Sequence, residues 1–102
     1  MKWETKLAVL KALSPHHLEM REPGDWYISS SVEIAGSGFL VGVLGNGRTP
    51  EEAVNDHWKQ LVEDLPTDRY LRGGTPGNTV YARWNGYMWE DAGHMRKRTS
   101  AA

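Results

Sequence analysis

Cysteine is absent from the 102-residue chain, which excludes disulfide bridges, thiolate zinc sites and a cysteine nucleophile. The sequence also lacks any run close to the ~18 apolar residues that a membrane span needs. Its first residues, MKWETKLAVLKALS, place charged side chains among the apolar ones and lack the continuous apolar stretch of a signal peptide. We therefore predict a soluble protein of the cytoplasm.

An excess of one charge is missing as well. Twelve basic and thirteen acidic residues leave a formal net charge of −1. Domains that coat nucleic acid by charge alone are usually strongly basic, so this class is disfavoured, although a local basic patch is not. The hydrophobic fraction of 39% and the charged fraction of 25% are typical of a globular chain. The length is that of one domain with its own core.

Catalytic and ligand-binding motifs are absent too. The serines at 29–31 lack a nucleophile elbow, and the carboxylates show no convergent spacing. Glycines 42, 45 and 47 precede a helix but miss the spacing of phosphate-binding loops. The four histidines show no metal-ligand spacing: they are His16, His17, His57 and His94. We predict that the protein is not an enzyme and uses no cofactor or metal.

The first half of the chain alternates between helical and strand patterns. Apolar spacing predicts a helix over residues 3–13, which ends at Ser14-Pro15. A short strand follows at 17–21, and strict alternation predicts one strand over 26–34. Residues 39–44 are apolar on both strand faces, which predicts a central strand beneath a helix.

The segment from Thr49 to Leu65 carries the clearest helix pattern. Thr49 suits the N-cap, Pro50 the first helical position, and Glu52 completes a capping box. Its apolar stripe includes His57 and Trp58, and Pro66 ends it.

The last third predicts strands and a tail. Tyr70-Leu71-Arg72 forms a short strand, and residues 79–90 form a hairpin around Asn85-Gly86. A two-residue turn there would pair Trp84 with Tyr87 and Ala82 with Trp89. We predict disorder in the basic tail, residues 93–102.

These elements predict a single α+β domain over residues 1–92. It has an N-terminal helix, an antiparallel sheet of four to five strands, and one main helix packed on one sheet face. Trp58 is expected to lie at the centre of the core, where it would meet Ile28, Val32, Val41, Trp84 and Trp89.

The predicted hairpin has a second face, opposite the one that packs in the core. Tyr, Arg and Met are enriched at protein interfaces, and exposed sheet edges accept added strands. We therefore predict a non-catalytic module that binds a protein partner or self-associates. Its predicted partner-binding residues are Tyr27, Tyr81, Arg83 and Met88.

Arginines beside aromatic residues leave a second function open. This combination suits single-stranded nucleic acid. The alternative prediction is a nucleic-acid-binding accessory protein that uses Arg69, Arg72, Arg83, Arg96, Lys97 and Arg98.

Two segments carry a resemblance to a known group of proteins. The stretch GNGRTPEEAV, residues 45–54, and the stretch RWNGYMWED, residues 83–91, resemble the "GNGxTPEEA" helix start and "WNGxMWED" hairpin of small uncharacterised phage and prophage proteins. The resemblance covers about the last two thirds of the chain, and its motifs are structural. It implies a phage-encoded accessory protein in a bacterial host cytoplasm that binds a host or phage macromolecule. Inhibitors of host defence systems are among such proteins.

Overall fold

Helices and two antiparallel sheets make up the chain. The computed structural model describes the backbone of residues 1–100 and the side chains of residues 1–96. Its helices are α1 (Trp3–Leu13), α2 (Pro50–Trp58) and α3 (Gly93–Ser100), and α2 continues as a π-helical turn over Lys59–Glu63. The strands are β1 (His16–Glu22), β2 (Asp25–Ser30), β3 (Glu33–Gly36), β4 (Phe39–Gly42), β5 (Gly45–Gly47), β6 (Tyr70–Thr75), β7 (Asn78–Trp84) and β8 (Trp89–Asp91).

The strands form two sheets where the sequence predicts one. The smaller sheet has the order β1-β2-β5, and the larger has the order β4-β3-β6-β7-β8. All neighbouring strands are antiparallel. The α+β class and the single domain are confirmed. Among the described residues, no helix combines the length and apolar character that crossing a membrane requires.

The start of α2 confirms its predicted cap. The Thr49 hydroxyl accepts a hydrogen bond from the Glu52 amide at 3.1 Å, and Pro50 occupies the first turn. The helix widens after Trp58, where the Asp64 amide donates to the Lys59 carbonyl at 2.8 Å in the i to i+5 pattern of a π-helix. The predicted helix therefore reaches Glu63, with a different hydrogen-bond register in its last turn.

The core has two main clusters instead of one around Trp58. The larger cluster lies on the inner face of the five-stranded sheet and contains Leu10, Leu13, Val32, Trp58, Leu61, Leu65, Leu71 and Ala82. The smaller cluster belongs to the three-stranded sheet and contains Ile28, Ala53 and Val54. The predicted contact of Trp58 with Ile28 is therefore wrong, because the two side chains belong to different clusters.

The predicted strand over residues 26–34 is also wrong, because the chain changes sheet at Ser31 and Val32. The Val32 amide donates to the Ser30 hydroxyl at 3.1 Å, so a side chain replaces a ladder partner at the break. Val32 then enters the larger cluster, whereas Ile28 remains in the smaller one. The alternation of apolar residues continues across this break and does not reveal it.

Strand β4 is an edge strand, which overturns the prediction of a central strand under a helix. Phe39, Leu40 and Val41 are 44%, 52% and 39% exposed. Helix α2 lies instead against β5 and β2: a Cβ added at Gly45 would lie 2.5 Å from the His57 Cβ and 2.7 Å from the Ile28 Cγ2. The two glycines of β5 therefore allow α2 to lie close to this strand, and β4 is left uncovered.

The predicted two-residue turn at Asn85-Gly86 is wrong in register. Trp84 pairs with Trp89, and residues 85–88 form the connecting loop. The Asn85 side-chain oxygen accepts from the Tyr87 and Met88 amides at 2.8 and 2.9 Å. This loop leaves Tyr87 91% exposed. The predicted core position of the two tryptophans is nevertheless confirmed, since their rings meet edge to face at 5.3 Å within the larger cluster.

Helix α3 begins at Gly93, within the segment that the sequence predicts as a disordered tail. Its anchor is a third small cluster on the outer face of the five-stranded sheet, where Met95 packs against Ala35, Tyr70 and Ala92. The Ala92 amide also donates to the Tyr81 carbonyl at 2.8 Å. The sequence pattern emphasised the basic residues and overlooked this apolar contact. Residues 101–102 and the side chains of Lys97 and Arg98 lie outside the described part of the chain.

Candidate functional site

The outer face of the five-stranded sheet carries the arginine and tyrosine side chains that the core excludes. The register aligns Leu40, Ala35 and Tyr70 across β4, β3 and β6. It aligns Glu33, Arg72 and Tyr81 in the next row. Paired residues in an antiparallel sheet share a face, so both rows lie opposite the tryptophan-rich core. Helix α3 packs against β7 and β3 on this side.

A groove of about 450 Å³ lies between β4, β6 and α3 on this outer face. Small residues Ala35, Gly36 and Gly38 lie along it. The other lining residues are Phe39, Leu40, Tyr70, Arg72, Tyr81 and Arg96. Among the residues that the structure describes, the lining includes two arginines and no carboxylate. The nearby Glu33 carboxylate pairs with one of these arginines, Arg72.

Three of the predicted nucleic-acid-binding arginines meet at this groove or its margin. The Arg72 guanidinium donates from Nη1 to Glu33 Oε1 at 3.0 Å. Arg96 lies over the Tyr81 ring at 5.2 Å from the centroid, and Arg69 lies over the Phe39 ring at 5.3 Å. Arg69 also pairs with the Asp68 carboxylate at 2.6 Å. The fold thus gathers cations that are up to 27 positions apart in the sequence, from Arg69 to Arg96.

Arg83 has a structural partner in the chain. Its Nη1 donates to the Pro66 carbonyl at 2.8 Å and to the Arg69 carbonyl. These bonds hold the segment between the π-helical turn and β6 against β7. Arg83 therefore satisfies two backbone carbonyls of the chain, and it is not among the lining residues of the groove.

The four predicted partner-binding residues do not form one surface. Tyr27 lies in the three-stranded sheet, where its hydroxyl donates to the Glu19 carboxylate and the Arg21 guanidinium lies 4.7 Å from its ring centroid. The Tyr27 hydroxyl, and after it His17, lowers the pKa of Glu19. Tyr81 lines the groove, and Met88 is 59% exposed in the hairpin loop.

The edge strand β4 is the feature that the sequence interpretation missed. The other edges are protected in ways that discourage pairing: β1 carries His17, Glu19 and Arg21 with a register shift after Met20, β8 has three residues, and β5 lies under α2. Strand β4 instead presents exposed apolar side chains along Phe39–Gly42. A run that is apolar on both faces resembles a buried strand, so its exposure follows only from the position of α2.

The turn before β4 determines which of its backbone groups point outward. Ser37 and Gly38 both have positive φ, 51° and 77°, as in a type I′ two-residue turn. Such a turn makes Gly36 and Phe39 a hydrogen-bonded pair. Because ladder bonds alternate, Leu40 directs its N–H and C=O away from β3. The edge therefore offers a backbone donor and acceptor beside the groove.

A second polar cluster lies inside the fold between α2 and β1. His57 is fully buried, and its ring lies edge to face with His16 at 5.3 Å. Burial, and after it the neighbouring His16, lowers the pKa of His57 to about 4. Neither His57 ring nitrogen has a protein hydrogen-bond partner. Within the described residues no three His, Cys, Asp or Glu side chains gather as metal ligands.

Comparisons of the chain with protein-family models, curated proteins and solved structures found no match. The β4 edge and the basic groove are therefore the features from which a function is inferred.

Proposed function

We propose that the protein is a non-catalytic binding module that attaches to a protein partner by accepting an extended segment of the partner at β4. The observation that carries this proposal is the apolar, solvent-exposed edge Phe39–Gly42. Exposed edge strands supply main-chain hydrogen bonds to an added strand, and neighbouring side-chain pockets supply selectivity.

The biological context of the proposal comes from the resemblance of residues 45–54 and 83–91 to phage and prophage proteins. The protein then acts in the cytoplasm of a bacterial host as an accessory protein. It binds a host or phage protein and blocks the surface that this partner uses, as an inhibitor of a host defence system does. A second copy of the chain is the other protein occupant that an exposed edge can accept.

The short edge sets a limit on affinity from the backbone alone. In a four-residue edge strand, only alternate residues direct their backbone N–H and C=O groups outward. Each backbone hydrogen bond contributes about 0.5–1.5 kcal/mol. Side-chain contacts around Phe39, Leu40 and Val41 must therefore supply much of the binding free energy. The groove beside Leu40 is placed to provide them.

The test removes the outward N–H of Leu40. Leu40→Pro eliminates this donor and breaks no ladder bond to β3, whereas Leu40→Ile keeps the donor and an apolar side chain of the same size and favours a strand. We expect tagged wild-type protein and Leu40→Ile to retain the same protein from nuclease-treated bacterial lysate, and Leu40→Pro to lose it at least about tenfold, the effect of ~1.4 kcal/mol.

Far-ultraviolet circular dichroism and thermal unfolding serve as controls that the variants are folded. Equal retention by folded Leu40→Pro and wild type would contradict strand addition. Size-exclusion chromatography with light scattering separates self-association from binding of another protein.

The convergence of Arg69, Arg72 and Arg96 near aromatic rings favours nucleic-acid binding as a second candidate function. Bases bind such sites by stacking on aromatic faces. Here Tyr70 is 5% exposed, and arginines already lie over the rings of Phe39 and Tyr81. Stacking surface is therefore scarce, and protein binding is the better supported function. Nucleic acid in the eluate, with binding that weakens steeply as salt increases, would reverse this order.

A further inference from the structure

We infer that the segment accepted by β4 is acidic and that one of its carboxylates enters the groove to contact Arg72 and Arg96. This inference rests on the proposed strand addition and specifies the chemistry of the partner. It identifies the groove as the element that selects among extended segments, all of which offer the same backbone groups.

The groove beside β4 presents positively charged side chains. Arg72 and Arg96 line it, and no carboxylate is among its described lining residues. Glu33 accepts a hydrogen bond from Nη1 of Arg72, whereas a guanidinium has five N–H donors in a planar fork. A second carboxylate can therefore bind Arg72 without displacing Glu33. Charge-assisted hydrogen bonds of this kind are about twice as strong as neutral ones.

The groove lies on the face to which a strand added at β4 would direct side chains. Leu40, Ala35 and Tyr70 share the outer face, so a strand added at β4 directs alternate side chains to that same face. In the row of Arg72, β4 contributes Gly42, which has no side chain to obstruct one that crosses. Arg72 reaches back over β3 to Glu33. Because the added strand would lie three strand spacings, about 14 Å, from β6, glutamate reaches the Arg72 guanidinium better than aspartate.

Charge complementarity also decides between the possible occupants. A second copy of the chain would bring its own Arg72 and Arg96 to the edge, and like charges across an interface are unfavourable. A nucleic acid would find the ring faces of Phe39 and Tyr81 covered by Arg69 and Arg96. An extended protein segment with a glutamate satisfies both the open backbone edge and the cationic groove.

The test uses a displayed library of random twelve-residue peptides, selected in parallel on wild type, Leu40→Pro and the double variant Arg72→Gln/Arg96→Gln. We expect wild type to enrich peptides that alternate apolar and acidic residues. For a selected peptide made synthetically, Glu→Gln in the peptide and the double variant should each weaken binding about tenfold. Arg72→Lys should keep part of the preference because it keeps the charge. Arg48→Gln removes a cation from an exposed loop residue and is the matched control.

The outcomes separate this inference from the proposed function. Peptides that Leu40→Pro fails to bind, but that show no acidic enrichment, would overturn the inference and leave strand addition intact. Acidic peptides that bind Leu40→Pro as well as wild type would contradict strand addition itself. Three results would overturn both: no peptide is selected, the protein self-associates in solution, or an oligo-dT probe binds more tightly than any selected peptide.

Discussion

At the residue scale, the most unusual position is His57, which is buried without a hydrogen-bond partner for either ring nitrogen. Its pKa is about 4 in the folded protein because burial, and then His16, disfavours the charged ring. In the unfolded chain a histidine titrates near pH 6.5. Between these values the unfolded chain binds the extra proton, so folding stability decreases as the pH falls from 6.5 towards 4.

We expect His57 to make unfolding strongly pH-dependent. The difference between the folded and unfolded pKa of His57 corresponds to about 3 kcal/mol of unfolding free energy. This stability is fully present above pH 6.5 and is lost progressively as the pH falls towards 4. Urea unfolding at pH 7 and pH 5 should show a smaller difference for His57→Leu than for wild type. His94→Gln, at an exposed position, is the control. An unchanged pH slope in His57→Leu would exclude this assignment.

At the element scale, the contact of β5 with α2 depends on glycine. A Cβ at Gly45 would meet His57 and Ile28 at 2.5 and 2.7 Å, and one at Gly47 would meet the Ala53 nitrogen at 2.6 Å. Real Cβ atoms do not approach so closely, so either substitution must move the helix or the strand. The same contact explains why α2 leaves β4 exposed.

Gly45→Ala should therefore lower the unfolding free energy by about 3 kcal/mol through overpacking. Gly42→Ala is a close control, because an added Cβ there has no neighbour within 4 Å, and its effect should stay within about 0.5 kcal/mol. Denaturant unfolding of the two variants measures the difference. Similar stabilities would show that the backbone at Gly45 relaxes freely.

At the scale of the whole molecule, α1 and α2 connect the two sheets. Helix α1 contributes Leu10 and Leu13 to the larger cluster, and its Trp3 and Leu7 pack against the smaller one. Helix α2 contributes Trp58 to the first and Val54 to the second. Neither cluster can be exposed without moving a helix that the other needs.

We expect the two clusters to unfold together as one cooperative unit. We consider two variants, one that keeps only Trp26, beside the smaller cluster, and one that keeps only Trp84, beside the larger. In each variant the fluorescence midpoint in denaturant should equal the circular dichroism midpoint of the same variant. A fluorescence midpoint that differs from this internal reference would indicate independent unfolding of a sheet.

Local patterns predicted the elements better than their arrangement. The Thr49 cap, the bounds of α1 and the inward position of Trp84 and Trp89 follow from short-range chemistry and are confirmed. The strand break at Val32, the edge position of β4 and the Trp84–Trp89 register were wrong. In each case a side-chain hydrogen bond or a distant glycine contact outweighed the pattern.

The candidate site was predicted only in part. Tyr81, Arg69, Arg72 and Arg96 were identified from residue type, and the fold places them in or beside one groove. Leu40 and Ala35 were not identified, because their role depends on which face of β3 and β4 meets α3. Arg83 suits partner binding by residue type, but its guanidinium donates to two backbone carbonyls of the chain.

The sequence by itself determined the α+β class, the bounds of α1, the start of α2 and the separation of tryptophan and arginine faces, because capping, proline and side-chain alternation act over a few residues. Only the tertiary structure decided that the strands divide into two sheets, that β4 lies at an open edge and that distant arginines share a groove. These outcomes depend on where α2 packs. That position is determined by close contacts at Gly45 and Gly47 with residues that the local pattern does not connect to them.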